Sequence, residues 1–206
     1  MFKTYLREQI FLSQMLEDVM SENNPSSKGN LFAKFILKKI TVHRGPIIFN
    51  YLKNLVDPKK NVQKKDVGKK KDAGNKKLAS KETLKVEKIY DRIFFLKNSE
   101  IKKFTETDEN IFLIPMSFNH QNFDFAFWIG KEKMLYVFQI TINVINHEKS
   151  DQKFFGENRA DLPIDQNQIQ YIWIGLNEDL KNHNSLMKTH ISPKSGILNY
   201  QNIEFI

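Results

Sequence analysis

The sequence predicts a mixed α/β (or α+β) sandwich. Three observations carry this. Two amphipathic helical stripes stand near the start of the chain, most of the remainder reads as strands, and Asn122 to Val144 alternates with period two on both sides of a polar turn. The 206 residues suit one domain, 1–206, with a Lys-rich insertion at 57–86 inside it.

Residues 2 to 20 place Phe2, Tyr5, Leu6, Phe11, Leu12, Met15, Leu16 and Val19 at helical spacing, a broad apolar stripe that needs a partner surface. A break follows at Ser21 to Lys28, where Asn23-Asn24-Pro25-Ser26-Ser27 supplies a turn and then hydroxyls able to cap a helix. The spacing predicts a second helix from about Lys28 to Ile40, with Leu31, Phe32, Phe35, Ile36 and Ile40 on its buried side. His43-Arg44-Gly45-Pro46 ends it. A short apolar piece, Ile47 to Leu55, precedes the Lys tract, whose lack of periodicity and few apolar residues predict disorder.

Order resumes near Lys85, where Ile89, Ile93 and Phe95 alternate within KIYDRIFFL and predict a strand. Asn110 to Met116 is another, although Pro115 forbids a central ladder donor at its end. Ile169 to Leu176 reads as a strand, Leu180 to His190 as a short helix, and Ile197 to Ile206 as a final strand.

The hairpin is the most informative piece. NFDFAFWI (Asn122 to Ile129) and MLYVFQITINV (Met134 to Val144) flank Gly130-Lys131-Glu132-Lys133. Closing over that turn places Phe127 opposite Tyr136, Phe125 opposite Phe138, and Phe123 opposite Ile140, a wholly apolar face. The reverse face pairs Trp128 with Leu135, Ala126 with Val137, Asp124 with Gln139, and Asn122 with Thr141. Residues directly opposite have Cβ atoms about 4.5 to 5.5 Å apart. A slip of one residue would turn every Phe of the apolar face into water.

Charge is unevenly spread. The net charge is +8, and between Asp57 and Val86 eleven Lys face only Asp57, Asp66, Asp72 and Glu82, so the rest of the chain holds +1. Lys69, Lys70, Lys71, Lys76 and Lys77 form the densest cluster, suited to phosphate contacts or nuclear import. A solvated Lys-rich insertion of the kind an AT-rich base composition produces is the alternative. Zero cysteines exclude disulfides, Cys-ligated zinc and a thiol nucleophile. The five His, at 43, 120, 147, 183 and 190, have no metal-ligand spacing. Lys3, Arg7, Glu8, Glu17 and Asp18 break any signal-peptide core, and no run approaches the ~18 apolar residues of a membrane span, so an intracellular, soluble protein is the expectation.

Several pieces in fixed order resemble one family. They are Ser26 to Phe32 (SSKGNLF), Pro115 to Asp124 (PMSFNHQNFD), Gln139-Ile140-Thr141, IQYIWIGL, and the closing NYQNIEFI. Together they resemble the C-terminal domain of Crinkler and retrotransposon-hot-spot (RHS) proteins, a branch of the PD-(D/E)XK restriction-endonuclease-like superfamily. The resemblance implies a restriction-endonuclease-like core, a central mixed sheet flanked by helices, and a metal site in which Asp124 and Gln139 would hold Mg2+. The third site position, usually a Lys, is Thr141, and the Glu usual after the helix Phe is Ala33. With one carboxylate left, the resemblance implies a degenerate nuclease that binds nucleic acid, DNA before RNA, or a host protein, in an effector-like role commonly in a nucleus.

Two alternatives stand beside this reading. An active Mg2+-dependent endonuclease would use Asp124 and Gln139 with a substitute acid such as Glu17, Glu87 or Asp91. A protein-interaction scaffold would have no affinity for nucleic acid, and Asp124 with Gln139 would be a simple polar pair. Asn122, Asn143 and His147 are further candidates on the Asp124 face or its rim, with a solvated position as the alternative for each, and Trp128 on that face is a candidate for partner contact, although such a Trp more often packs under a helix.

Overall fold

The computed structural model describes residues 2–54, 79–117, 123–142, 154–155, 162, 164–176 and 195–206. Helix α1 spans Phe2–Ser21 and helix α2 spans Pro25–Val42. The second begins three residues earlier than its apolar stripe predicts. Its N-cap is Asn24, whose side chain accepts from the backbone N–H groups of Ser26 and Ser27 at 3.0 and 3.2 Å. Pro25 takes the first helical position, where a missing N–H costs nothing. The serine hydroxyls lie inside the first turn and are not the cap.

Nine strands are seen among the described residues: β1 Ile47–Asn54, β2 Ala79–Val86, β3 Asp91–Phe95, β4 Asn110–Pro115, β5 Phe125–Ile129, β6 Met134–Thr141, β7 Ile169–Gly175, β8 Ser195–Asn199 and β9 Ile203–Phe205. They form one mixed sheet in the order β2-β1-β8-β7-β6-β5-β4-β3, with β9 also on β1. The domain is therefore mixed α/β. Pairs β3/β4, β6/β7 and β7/β8 are parallel, and the others are antiparallel.

Two predicted boundaries change. Residues 79–86, placed by the sequence in the Lys-rich insertion, are a full strand, paired from Ile47↔Val86 to Asn54↔Ala79. Leu84 and Val86 are buried while Lys81, Thr83 and Lys85 are exposed, so an edge strand with few apolar residues carries almost no hydrophobic signal. The rest of the insertion, including Lys69, Lys70, Lys71, Lys76 and Lys77, lies outside the described residues, as does the predicted helix Leu180 to His190. The predicted final strand is two strands joined by a 3-10 turn at Tyr200–Asn202, because β8 and β9 share one edge of β1. Pro115 sits beyond Leu113↔Ala126, the last pair of β4 with β5, where no donor is needed.

The hairpin register is the predicted one, with Phe125↔Phe138, Ala126↔Val137, Phe127↔Tyr136 and Trp128↔Leu135. A 3-10 turn at Gly130–Glu132 closes it, and Lys133 takes a left-handed φ of 52°. Gly130 lies so close to the Asp108 backbone that no side chain fits. On one face, α1 and α2 bring Leu12, Val19, Phe32, Phe35, Ile36 and Ile40 onto Phe49, Phe112, Phe125, Phe127 and Phe138. Phe125 stacks on Phe138 with ring centroids 4.6 Å apart, and Phe112 on Phe127 at 4.9 Å.

The reverse face is not half-exposed as the alternation suggests. Ala126, Trp128, Leu135 and Val137 pack with Tyr171, Trp173, Phe154 and Leu162 in a second core. Phe123 belongs to that second core, against Phe95 and Phe154, and not opposite Ile140. Asp124 lies in a bend just before β5, so alternation stops at Phe125 and Phe123 is released to the other side. No helix among the described residues is long and apolar enough to cross a membrane.

The stacked Phe125–Phe138 pair sits inside the aromatic layer, so Phe138→Ala is expected to cost about 3–5 kcal/mol. Denaturant unfolding of the variant against wild type measures it.

Candidate functional site

Where β5 begins, its backbone leaves the ladder with β6. Asp124 N–H still donates to the Phe138 carbonyl at 2.8 Å, but the next donor of β6, the Ile140 N–H, meets the carboxylate of Asp124 at 2.6 Å. The side chain thus replaces a strand carbonyl. The same oxygen, Oδ2, accepts from Gln139 Nε2 at 2.8 Å, and that amide also reaches the Ile140 carbonyl at 3.4 Å. The predicted Asp124–Gln139 pair is therefore a direct hydrogen bond.

Asp124 is half-buried, and burial pushes its carboxyl up to about 7 from an ordinary 3.8, while the Ile140 N–H favours the anion and pulls it back. The cause of the upward shift lies in the walls. Asp124 lines a cavity of about 40 Å3 with Ala33 and Leu37 of α2, Ile114 and Pro115 of β4, and Ser117. Four of these five neighbours present carbon. Ala33, the position at which the resemblance puts a Glu, lines the same cavity as Asp124 although α2 and the hairpin are far apart in sequence.

This donor set does not fit Mg2+. A hard dication takes oxygen ligands, usually from more than one carboxylate or with several retained waters. Among the described residues there is one carboxylate here, an amide that turns its N–H to that carboxylate, and an apolar lining. Among the described residues no three of His, Cys, Asp and Glu are grouped to hold a metal.

The other sequence candidates scatter. Thr141 is buried at the end of β6, level with Gly175 of β7. Trp128 is 2% exposed, and its indole N–H donates to the Thr107 carbonyl at 3.0 Å, so it is a core residue and not a contact for partners. None of Glu17, Glu87 and Asp91 lines the Asp124 cavity. Glu87 pairs with Lys85 at 2.8 Å, and Asp91 Oδ1 accepts the Arg92 N–H at 2.7 Å. Asn122, Asn143 and His147 lie outside the described residues. Sequence reading missed Leu37, Ile114 and Ser117, because nothing local to α2 or β4 announces a shared cavity.

A carboxyl whose folded pKa lies above its unfolded one stays protonated in the native state after the unfolded chain has ionised. Asp124 therefore contributes stability that is full below about 4 and declines as pH rises to about 7. Asp124→Asn keeps an acceptor for the Ile140 N–H and removes the titration, so its stability is expected to be flatter over that window; thermal unfolding at stepped pH reads the difference. No family model, curated protein or solved structure matches the chain.

Proposed function

We propose that this chain is a degenerate PD-(D/E)XK nuclease-like domain of the Crinkler/RHS type, with a restriction-endonuclease-like core, which acts by binding nucleic acid and does not cut it. The observation that carries the reading is the convergence of Ala33 with Asp124 on one cavity, while Asp124 bonds Gln139 on the adjoining strand. Ala33, Asp124 and Gln139 are three of the four positions that the resemblance assigns to one metal site, Thr141 being the fourth, and they come from a helix, the bend before β5 and strand β6. The carbon lining of the cavity favours loss of cleavage over an active Mg2+ enzyme.

The binding function rests on the Lys tract. Residues 57–78 hold nine Lys against Asp57, Asp66 and Asp72, and they connect the paired ends of β1 and β2 at Asn54↔Ala79. Such a segment neutralises phosphates without reading sequence, and its affinity falls steeply with salt. The effector-like role and a nuclear location follow from the same resemblance.

Two measurements test this. Deleting 57–78 and no further, so that β2 is kept, is expected to remove most duplex-DNA binding at low salt; unchanged binding sinks the role of the tract. Ala33→Glu places a second carboxylate in the Asp124 cavity. Calorimetric titration with Mg2+ or Mn2+ is expected to show binding in Ala33→Glu that wild type lacks and that adding Asp124→Ala removes again. A folded Ala33→Glu with no gain would count against the nuclease ancestry. Divalent-dependent cleavage by wild type would restore the active-enzyme reading, and absence of any DNA affinity would leave the protein-interaction scaffold.

A further inference from the structure

A second cleft, of about 330 Å3, lies between the turn that follows α2 and the segment joining β2 to β3. It is lined by His43, Arg44 and Gly45 on one side and by Lys88, Tyr90 and Arg92 on the other. The globular part is nearly neutral as a sum, and this cleft is locally positive. Arg44, Lys88 and Arg92 stand against one carboxylate, Asp91, whose Oδ1 is already taken by the Arg92 backbone N–H at 2.7 Å. None of the three cations belongs to an ion pair among the described residues. Beside them the Tyr90 ring is 55% exposed, with the Lys88 ammonium 4.9 Å above its centroid.

We infer that this cleft binds a nucleotide, with Arg44 and Arg92 on its phosphate and Tyr90 stacking its base. A guanidinium presents a planar fork of donors that matches phosphate oxygens, and an exposed aromatic face accepts any base. The frame is built before a ligand arrives. At Gly45 any Cβ would collide with the Ile206 carbonyl, so the turn carrying Arg44 packs backbone to backbone. His43 Nε2 lies 3.1 Å from the Pro46 carbonyl and 3.2 Å from that of Ile206, and the Ile206 N–H donates to Pro46 at 3.0 Å. Across the cleft the Tyr90 N–H donates to the Asn110 carbonyl at 2.9 Å, and Arg92 pairs with Phe112 in the β3/β4 ladder. Cations and ring are thus mounted on fixed backbone, which lowers the ordering cost of binding.

The polymer class rests on the nucleic-acid reading above, whereas the phosphate and base contacts rest on the cleft alone. The same chemistry is offered by the end of a single strand and by a free mononucleotide. Fluorescence anisotropy of the full chain with a labelled, 5′-phosphorylated oligothymidylate, competed by deoxythymidine monophosphate, separates them. Competition at comparable concentration assigns the free nucleotide and its absence assigns the strand end; either supports the site.

Arg44→Gln with Arg92→Gln is expected to weaken binding at least about tenfold and to flatten its salt slope by roughly 0.7 per cation removed. Tyr90→Ala is expected to weaken it about tenfold. All three side chains are exposed, so an unchanged thermal transition shows that the fold is kept. Loss in these variants with retention after deletion of 57–78 supports the cleft and removes the Lys tract from the single-strand contact. Wild-type affinity in both cleft variants, or duplex binding by wild type with no affinity for oligothymidylate or mononucleotide, overturns the cleft and leaves the Lys-tract reading standing.

Discussion

Side chains alternate along a strand, so the pairing of β5 with β6 decides the face of every residue in both. That register sets Phe125 on Phe138 and Phe127 opposite Tyr136. It also turns Ala126, Trp128, Leu135 and Val137 to the other side. Because β6 is bounded by β5 on one flank and β7 on the other, its two faces become the floors of both cores. Helices α1 and α2 pack over the aromatic floor, while Tyr171, Trp173, Phe154 and Leu162 join the second. A slip of one residue would exchange the contents of the two layers.

Asp124 marks where this register stops being enforced by backbone. Its carboxylate accepts the Ile140 N–H that a further strand residue would have satisfied, which closes the ladder with a side chain. The substitution has two consequences. Phe123 is free to turn into the second core, and the carboxylate is drawn against Ala33, Leu37, Ile114 and Pro115. An ionisable group held in carbon surroundings favours its neutral form, which is why this carboxyl is shifted up while exposed acids such as Asp108 and Glu100, held by Lys133 and by backbone N–H groups respectively, are shifted down. The same surroundings act as a hydrophobic wall around the carboxyl.

Much of the fold and part of the site were legible in the residues. Helix existence, five of the strand segments and the hairpin register follow from local period, and the Asp124–Gln139 bond follows from the register. Strand β2 was not legible: an edge strand needs a buried residue only at alternate positions toward one end, and Lys81 and Lys85 disguise it. For Trp128 the sequence left partner contact and burial both open, because alternation tells which residues share a face and not whether that face is covered.

By itself, then, the chain determined where α1, α2 and strands β3 to β7 lie, how the central hairpin pairs, and that its positive charge is concentrated between β1 and the end of β2. These depend on neighbours within a few residues or across one turn, where period and turn chemistry decide. Only the tertiary structure decided that both sheet faces are buried, that Ala33 meets Asp124, and that Arg44 and Arg92 line one cleft. Those contacts join segments distant along the chain, and their geometry comes from strand order and helix docking, which no local pattern encodes.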